Sequence, residues 1–278
     1  MVMTDIVTET STASASTAPI LASPTTIEQA RAGWDAWREA RIRRVTAPAG
    51  DLALIETRWL APDDTLTPEE ARAGRPDTVM ATALSRRSLE TGEAERGIRL
   101  WDAQSPAIRA FETITVFPFD PRWVIEATFT PVSESRTIPF EHIRDNGLTR
   151  DLVVPGDIRF ERDGVEYVLS AFDDDGTLLL VFGDPSNGAD GEDGTYASGR
   201  FLFVERLSAQ DGDRVILDFN RAFVPPCGFS DQYNCPLPPR NNRFPVPVTA
   251  GEKRVVLRHD AGRDGTAGDG TARDGSQH

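Results

Sequence analysis

From Leu52 to Phe223 the chain is a succession of short runs rich in β-branched and aromatic residues, each closed by Pro, Gly, Asp or Asn, with no long helical pattern between them. Many short strands without intervening helices can bury their apolar faces only against one another, as a sandwich or a barrel. The runs predict strands at Leu52 to Trp59, Val79 to Leu84, Ile98 to Trp101, Glu112 to Phe117, Trp123 to Thr130, Arg136 to Phe140, Asp157 to Arg162, Val165 to Phe172, Thr177 to Phe182, Arg200 to Arg206 and Arg214 to Phe223. Asp163-Gly164 and Asp173 to Gly176 carry the turn chemistry of two consecutive hairpins, which makes that part an antiparallel meander. Pro118, Pro121 and Pro131 bracket the strand around Trp123, since a residue without an amide hydrogen suits only edges and ends.

Two helices precede and interrupt this pattern. Ile27, Ala30, Trp34, Trp37, Arg41 and Val45 recur at intervals of three and four, predicting a helix from Ile27 to about Val45 with Thr25 or Thr26 as its cap and an aromatic face that lids the β core. Thr67, Pro68, Glu69 and Glu70 predict a second, shorter helix: a cap, a proline at the first helical position and acids in the first turn. The Ser/Thr/Ala-rich residues 1–26 and the Gly/Asp-rich residues 260–278 read as disordered tails, because neither can bury enough surface to offset its ordering entropy. Residues 27–259 then form a single mainly β domain, an antiparallel barrel or sandwich with the N-terminal helix packed on it.

The formal net charge of −14 argues against nucleic-acid partners, whose phosphates draw affinity from clustered Lys and Arg, and against anionic membrane surfaces. Apolar runs are too short for a membrane-spanning helix, and the first residues lack the basic and apolar regions of a secretory signal. The expectation is a soluble cytoplasmic protein, where thiols stay reduced and a stable Cys227–Cys235 disulfide is disfavoured.

Residues 213–243 concentrate the polar chemistry. Strand alternation through Phe223 would set Val215, Leu217, Phe219, Arg221 and Phe223 on one face and Ile216, Asp218, Asn220 and Ala222 on the other, so that Asp218 and Asn220 point the same way. If they point inward, Arg200, Arg221 or Arg243 would be needed as partners, either in a buried polar network or around a ligand. Cys227 and Cys235 sit in a loop stiffened by Pro225, Pro226, Pro236, Pro238 and Pro239, and three readings stand open: packed thiols, a conditional disulfide, or part of a metal site. Only His142, His259 and His278 could add imidazole ligands, so no metal is assigned. The Gly-rich segment Gly183 to Gly199 lacks the Lys-Ser or Lys-Thr of a phosphate loop and the acid spacing of a calcium loop, and reads as an exposed acidic turn.

Asp218-Phe219-Asn220-Arg221-Ala222, Pro225-Pro226-Cys227, Cys235-Pro236-Leu237-Pro238-Pro239, Asn242-Arg243 and Ala250-Gly251-Glu252 together resemble the signature of the domain-of-unknown-function 1684 family. Thr195-Tyr196, Gly199-Arg200-Phe201-Leu202, the Arg38 region and Leu52 to Leu60 extend the likeness over most of residues 30 to 255, while Asn187 to Asp193 is longer and more acidic than the family's usual turn. The resemblance implies one folded unit and brings no established reaction or cofactor. The ligand-site candidates are therefore Tyr196, Arg200, Asp218, Asn220, Arg221, Cys227, Cys235, Asn242 and Arg243. The expected role is binding of a small polar or anionic molecule; a hydrolase or thiol-dependent enzyme using the same residues, and an acidic protein-interaction module, are the alternatives. Cofactor and oligomeric state are not specified by the sequence.

Overall fold

The computed structural model describes residues 27–89, 91–145, 148–174, 176–206 and 214–258. Its centre is a closed antiparallel barrel. Strands β5 (Val124–Glu141), β6 (Thr149–Arg162), β7 (Val165–Asp174), β8 (Thr177–Phe182), β9 (Arg200–Arg206) and β10 (Arg214–Asp218) pair in the order β10-β5-β6-β7-β8-β9, and β9 closes onto β10. The β6–β7 turn uses Asp163 and Gly164, both at positive φ (53° and 75°), the left-handed pair a two-residue hairpin requires. Outside the barrel lie a three-stranded sheet, with β1 (Leu54–Trp59) and β2 (Val79–Arg87) flanking β3 (Ala94–Asp102), and a pair formed by β4 (Phe111–Val116) and β11 (Glu252–Leu257).

Barrels gain diameter with strand number, and about eight strands enclose just enough room for side chains. Six leave less. Here Trp123, Phe160, Tyr167, Phe182, Phe219 and Phe244 fill the interior, with Phe160 stacked on Tyr167 at 4.8 Å between ring centroids and Phe219 edge-on to Phe182 at 5.2 Å. The barrel is a core, and any ligand site must lie on its outside.

Helix α1 spans Ile27–Val45, as its periodicity predicts, and lies on the barrel: the Trp34 indole donates to the Asn220 carbonyl at 2.9 Å. Its expected cap, Thr25 or Thr26, and both terminal tails fall outside the described residues. Helix α2 (Pro68–Arg72) has the full capping box of Thr67 and Glu70. A third helix, α3 (Pro106–Ala110), was not anticipated; Ser105 caps it and Pro106 opens it, but five residues carry no periodicity. No helix among the described residues is long and apolar enough to cross a membrane.

Several expectations change in detail. The strands expected at Trp123 to Thr130 and Arg136 to Phe140 form one long β5, and Pro131 is accommodated where the β5–β6 register shifts. Trp123 belongs to a 3₁₀ turn opened by Pro121 and capped by Asp120. β11 was missed. The strand expected to reach Phe223 stops at Asp218, because the Asp218 carboxylate accepts the Asn220 amide and turns Phe219–Arg221 into a 3₁₀ turn. The two-faced alternation therefore does not continue past Asp218.

Candidate functional site

Most of the signature residues are internal polar staples. Arg200 is completely buried: one guanidinium nitrogen meets Asp184, also buried, at 2.7 Å and Val248 O at 2.7 Å, and the other donates to Ala250 O. Its guanidinium also lies over the Phe182 ring. Asn242, fully buried, accepts the Ser170 amide at 2.9 Å and donates to the Ser170 and Val181 carbonyls at 2.8 Å each, joining β7 to β8. Asn220 does the same for Asp120, accepting its amide at 2.8 Å and donating to its carbonyl at 3.0 Å. Each amide side chain here supplies what a neighbouring strand's backbone would supply, which satisfies buried peptide groups where the ladder ends.

The other candidates are scattered. Asp218 and Arg221 pair at 3.3 Å beside Asn220, and burial lifts the Asp218 carboxyl above the usual range against the pull of Asn220 and Arg221. Arg243 faces solvent. Tyr196 borders an open depression with Thr195, Gly188, Gly228 and Arg254. The segment 183–199 is only partly the exposed turn expected: Asp190, Glu192 and Asp193 are exposed, but Asp184 and Thr195 are buried at its base.

Cys227 and Cys235 are joined as a disulfide, overturning the expectation of reduced thiols. The stiff proline segments bring the loop ends together, and the Ile143 amide fixes the Cys235 carbonyl at 3.0 Å. Leu237 N donates to Glu141 O at 2.7 Å, holding the far side of the loop against the end of β5.

The disulfide loop instead borders a cleft of about 260 Å³ on the outer surface of the barrel. The last turns of α1 contribute Arg41 and Arg44, the following loop Asp51, β3 Arg99 and Trp101, and β9 Phe203; Phe223, Pro226 and Tyr233 complete the wall. Arg41 is held: it meets Asp51 at 3.1 Å, Glu252 at 3.1 Å and Val224 O at 2.7 Å, with its guanidinium 5.0 Å from the Phe223 ring centroid. Arg99 lies over the Tyr233 ring at 5.1 Å. Arg44 differs from both. It lies at the rim and makes no ion pair or side-chain hydrogen bond among the described residues; crowding by the wall and then Arg41's charge lower its pKa, against the pull of Asp51 and Glu252. The Tyr233 hydroxyl, pushed strongly upward in pKa by burial and by Asp51, likewise makes no hydrogen bond there. The guanidinium groups of Arg41, Arg44 and Arg99 outnumber the carboxylates of Asp51 in the wall and of Glu252 behind Arg41, so the cleft is locally positive in a chain whose net charge is −14.

Behind the loop, Asp145 accepts Arg150 at 2.8 Å and Asn234 at 3.0 Å, and Arg144 donates to the Tyr233 carbonyl at 3.1 Å. Buried His142 donates to Phe140 O at 3.1 Å; burial dominates and pushes its pKa down to about 4. The unfolded chain, with an ordinary imidazole, takes up this proton first. Stability from neutral His142 is thus intact above about pH 6.5 and lost as pH falls towards 4, up to roughly 3 kcal/mol at 1.36 kcal/mol per pKa unit. Urea titrations from pH 7 to 4 should show a shallower decline in His142→Asn than in the wild type; parallel curves would remove His142 as the source.

The sequence pattern described as "Protein of unknown function (DUF1684)" matches residues 109–253, just over half of the chain. This chain belongs to that family. Among solved structures, the solution NMR structure of an uncharacterized protein from Haloarcula marismortui is 34% identical, aligned over 54% of this chain and 83% of that one, with a TM-score of 0.42. No curated protein matches. Within the DUF1684 region lie the staples of Asn220, Asn242 and Arg200, together with Phe203, Phe223, Pro226 and Tyr233 of the cleft. Arg41, Arg44, Asp51, Arg99 and Trp101 precede it. No local sequence pattern marks these N-terminal cleft residues except at Arg41, a charge in the apolar stripe of α1.

Proposed function

We propose that this DUF1684 protein binds a small anionic molecule in the cleft between α1, β3 and the disulfide loop. The observation that carries the reading is Arg44, a guanidinium that lies at the rim of a locally positive concavity and makes no ion pair or side-chain hydrogen bond among the described residues, Asp51 and Glu252 attracting it only at longer range. Guanidinium groups match carboxylate and phosphate oxygens in a planar, two-pronged geometry. Aromatic walls with few polar groups are the usual composition of small-molecule sites. The site thus keeps the disulfide loop of the sequence-based expectation but replaces Arg200 and Arg243 with Arg44 and Arg99. A thiol-dependent enzyme finds less support, because both sulfurs are engaged in the disulfide.

NMR titration of the protein with acetate, benzoate and inorganic phosphate tests the proposal. At least one anion should shift amides along the cleft, and Arg44→Met should weaken its binding about tenfold or more, the usual effect of losing a charge-assisted hydrogen bond. Because the Arg44 side chain makes no ion pair or hydrogen bond among the described residues, the variant should melt within a degree or two of the wild type. Binding indifferent to Arg44, or absent for every anion, overturns the proposal.

A further inference from the structure

The composition of the wall narrows the ligand further, on the premise that the cleft binds an anion as proposed. Phe203 is 38% exposed although it is an aromatic residue on a barrel strand. Its neighbours Leu202 and Val204 turn into the barrel core, so Phe203 faces outward, stacked on Phe223 with ring centroids 5.3 Å apart. Trp101 and Tyr233 meet edge-on at 6.4 Å in the same wall, with the Trp101 indole nitrogen already donating to Thr82. The cleft therefore has aromatic surface, a guanidinium at Arg44 and one hydroxyl, that of Tyr233, without a partner among the described residues.

Size sets the other limit. A cavity of about 150 Å³ is enough to hold benzene, whereas drug-sized ligands use about 300 to 1,000 Å³. At about 260 Å³ the cleft has room for one ring and a charged substituent, and is too small to enclose a dinucleotide. Stacked and edge-on geometries on Phe203, Trp101 and Tyr233 favour a planar π system over a saturated ring of equal size, because the ring quadrupoles add to the area term. Salt-bridging at Arg44 selects an acidic substituent, and the Tyr233 hydroxyl is best satisfied by a polar atom on the ligand.

We infer that the ligand of this cleft is a one-ring aromatic acid, its ring against Phe203 and its anionic group at Arg44. The test compares benzoate with cyclohexanecarboxylate, which is similar in size and charge but has no π system, by NMR titration of the full chain, Arg44→Met and Phe203→Leu. Benzoate should bind about three- to tenfold more tightly than cyclohexanecarboxylate to the wild type, the factor expected of one aromatic pair. Phe203→Leu should erase that preference while both acids still bind, and Arg44→Met should weaken both. Equal affinity for the two acids, with dependence on Arg44 retained, overturns the aromatic inference and leaves the anion site standing. Binding of neither acid, or binding that ignores Arg44, overturns both. Because leucine fills much of the phenylalanine volume, a folded Phe203→Leu protein is expected, and its amide spectrum checks this directly.

Discussion

Arg200→Met is expected to lower the unfolding free energy by about 3–5 kcal/mol, the range for removing one member of a buried ion pair. The replacement leaves Asp184 as an uncompensated carboxylate with no solvent exposure and takes donors away from the Val248 and Ala250 carbonyls. Methionine keeps the contact with the Phe182 ring but supplies no charge or hydrogen bond. The urea midpoint should fall, whereas Arg44→Met should stay within about 0.5 kcal/mol of the wild type, as surface changes without partners do. A double variant, Arg200→Met with Asp184→Leu, should lose less than the sum of the two single losses, since the stranded carboxylate is then gone. A loss below about 1 kcal/mol for Arg200→Met would show that the guanidinium is hydrated and could serve a ligand after all.

The contrast between these arginines explains why the fold was more legible than the site. Regular elements are coded locally: the three-four spacing of Trp34, Trp37 and Arg41 sets α1, Asp163-Gly164 sets a turn, and the apolar run Thr177 to Phe182 sets β8 with the bounds it has. Asp218, Asn220, Arg200 and Asn242 were recognisable as polar groups in an apolar setting. What the sequence does not encode is whether such a group meets a ligand or the protein's own peptide groups, because an Asn amide recognises either with the same donor and acceptor. Asp218 shows a further limit, since its bond to the Asn220 amide ends the strand that its own alternation pattern seemed to extend. The cleft joins Arg44, Trp101, Phe203 and Tyr233, residues far apart along the chain, and no single window of sequence contains it.

Glu252→Leu should expose how closely that cleft depends on the barrel. Glu252 is 2% exposed, takes the Arg41 guanidinium on one oxygen at 3.1 Å and the Val224 amide on the other at 2.8 Å, and so ties the last turns of α1 to the start of β11 and to the segment leading into the disulfide loop. Burial raises its carboxyl pKa, with Arg41 and the Val224 amide opposing that shift. Leucine removes the negative charge, leaves the Val224 amide without its acceptor and leaves Arg41 to Asp51 and a carbonyl, a loss of about 3–5 kcal/mol by the same reasoning as for Arg200. Glu252→Gln, which keeps an acceptor for one of the two donors, should lose less. The loss should also be local. Arg41 lies over Phe223 and Phe229, which belong to clusters other than the one that fills the barrel, so hydrogen exchange should accelerate first in α1 from Trp34 to Arg44, with β6, β7 and β8 still protected. Anion binding should weaken in step with that exchange, because Arg41 holds Asp51 in the cleft wall and α1 carries Arg44 to its rim. Uniform loss of protection across α1 and the barrel would mean that the two unfold as one unit, and the cleft would then be as stable as the core beneath it.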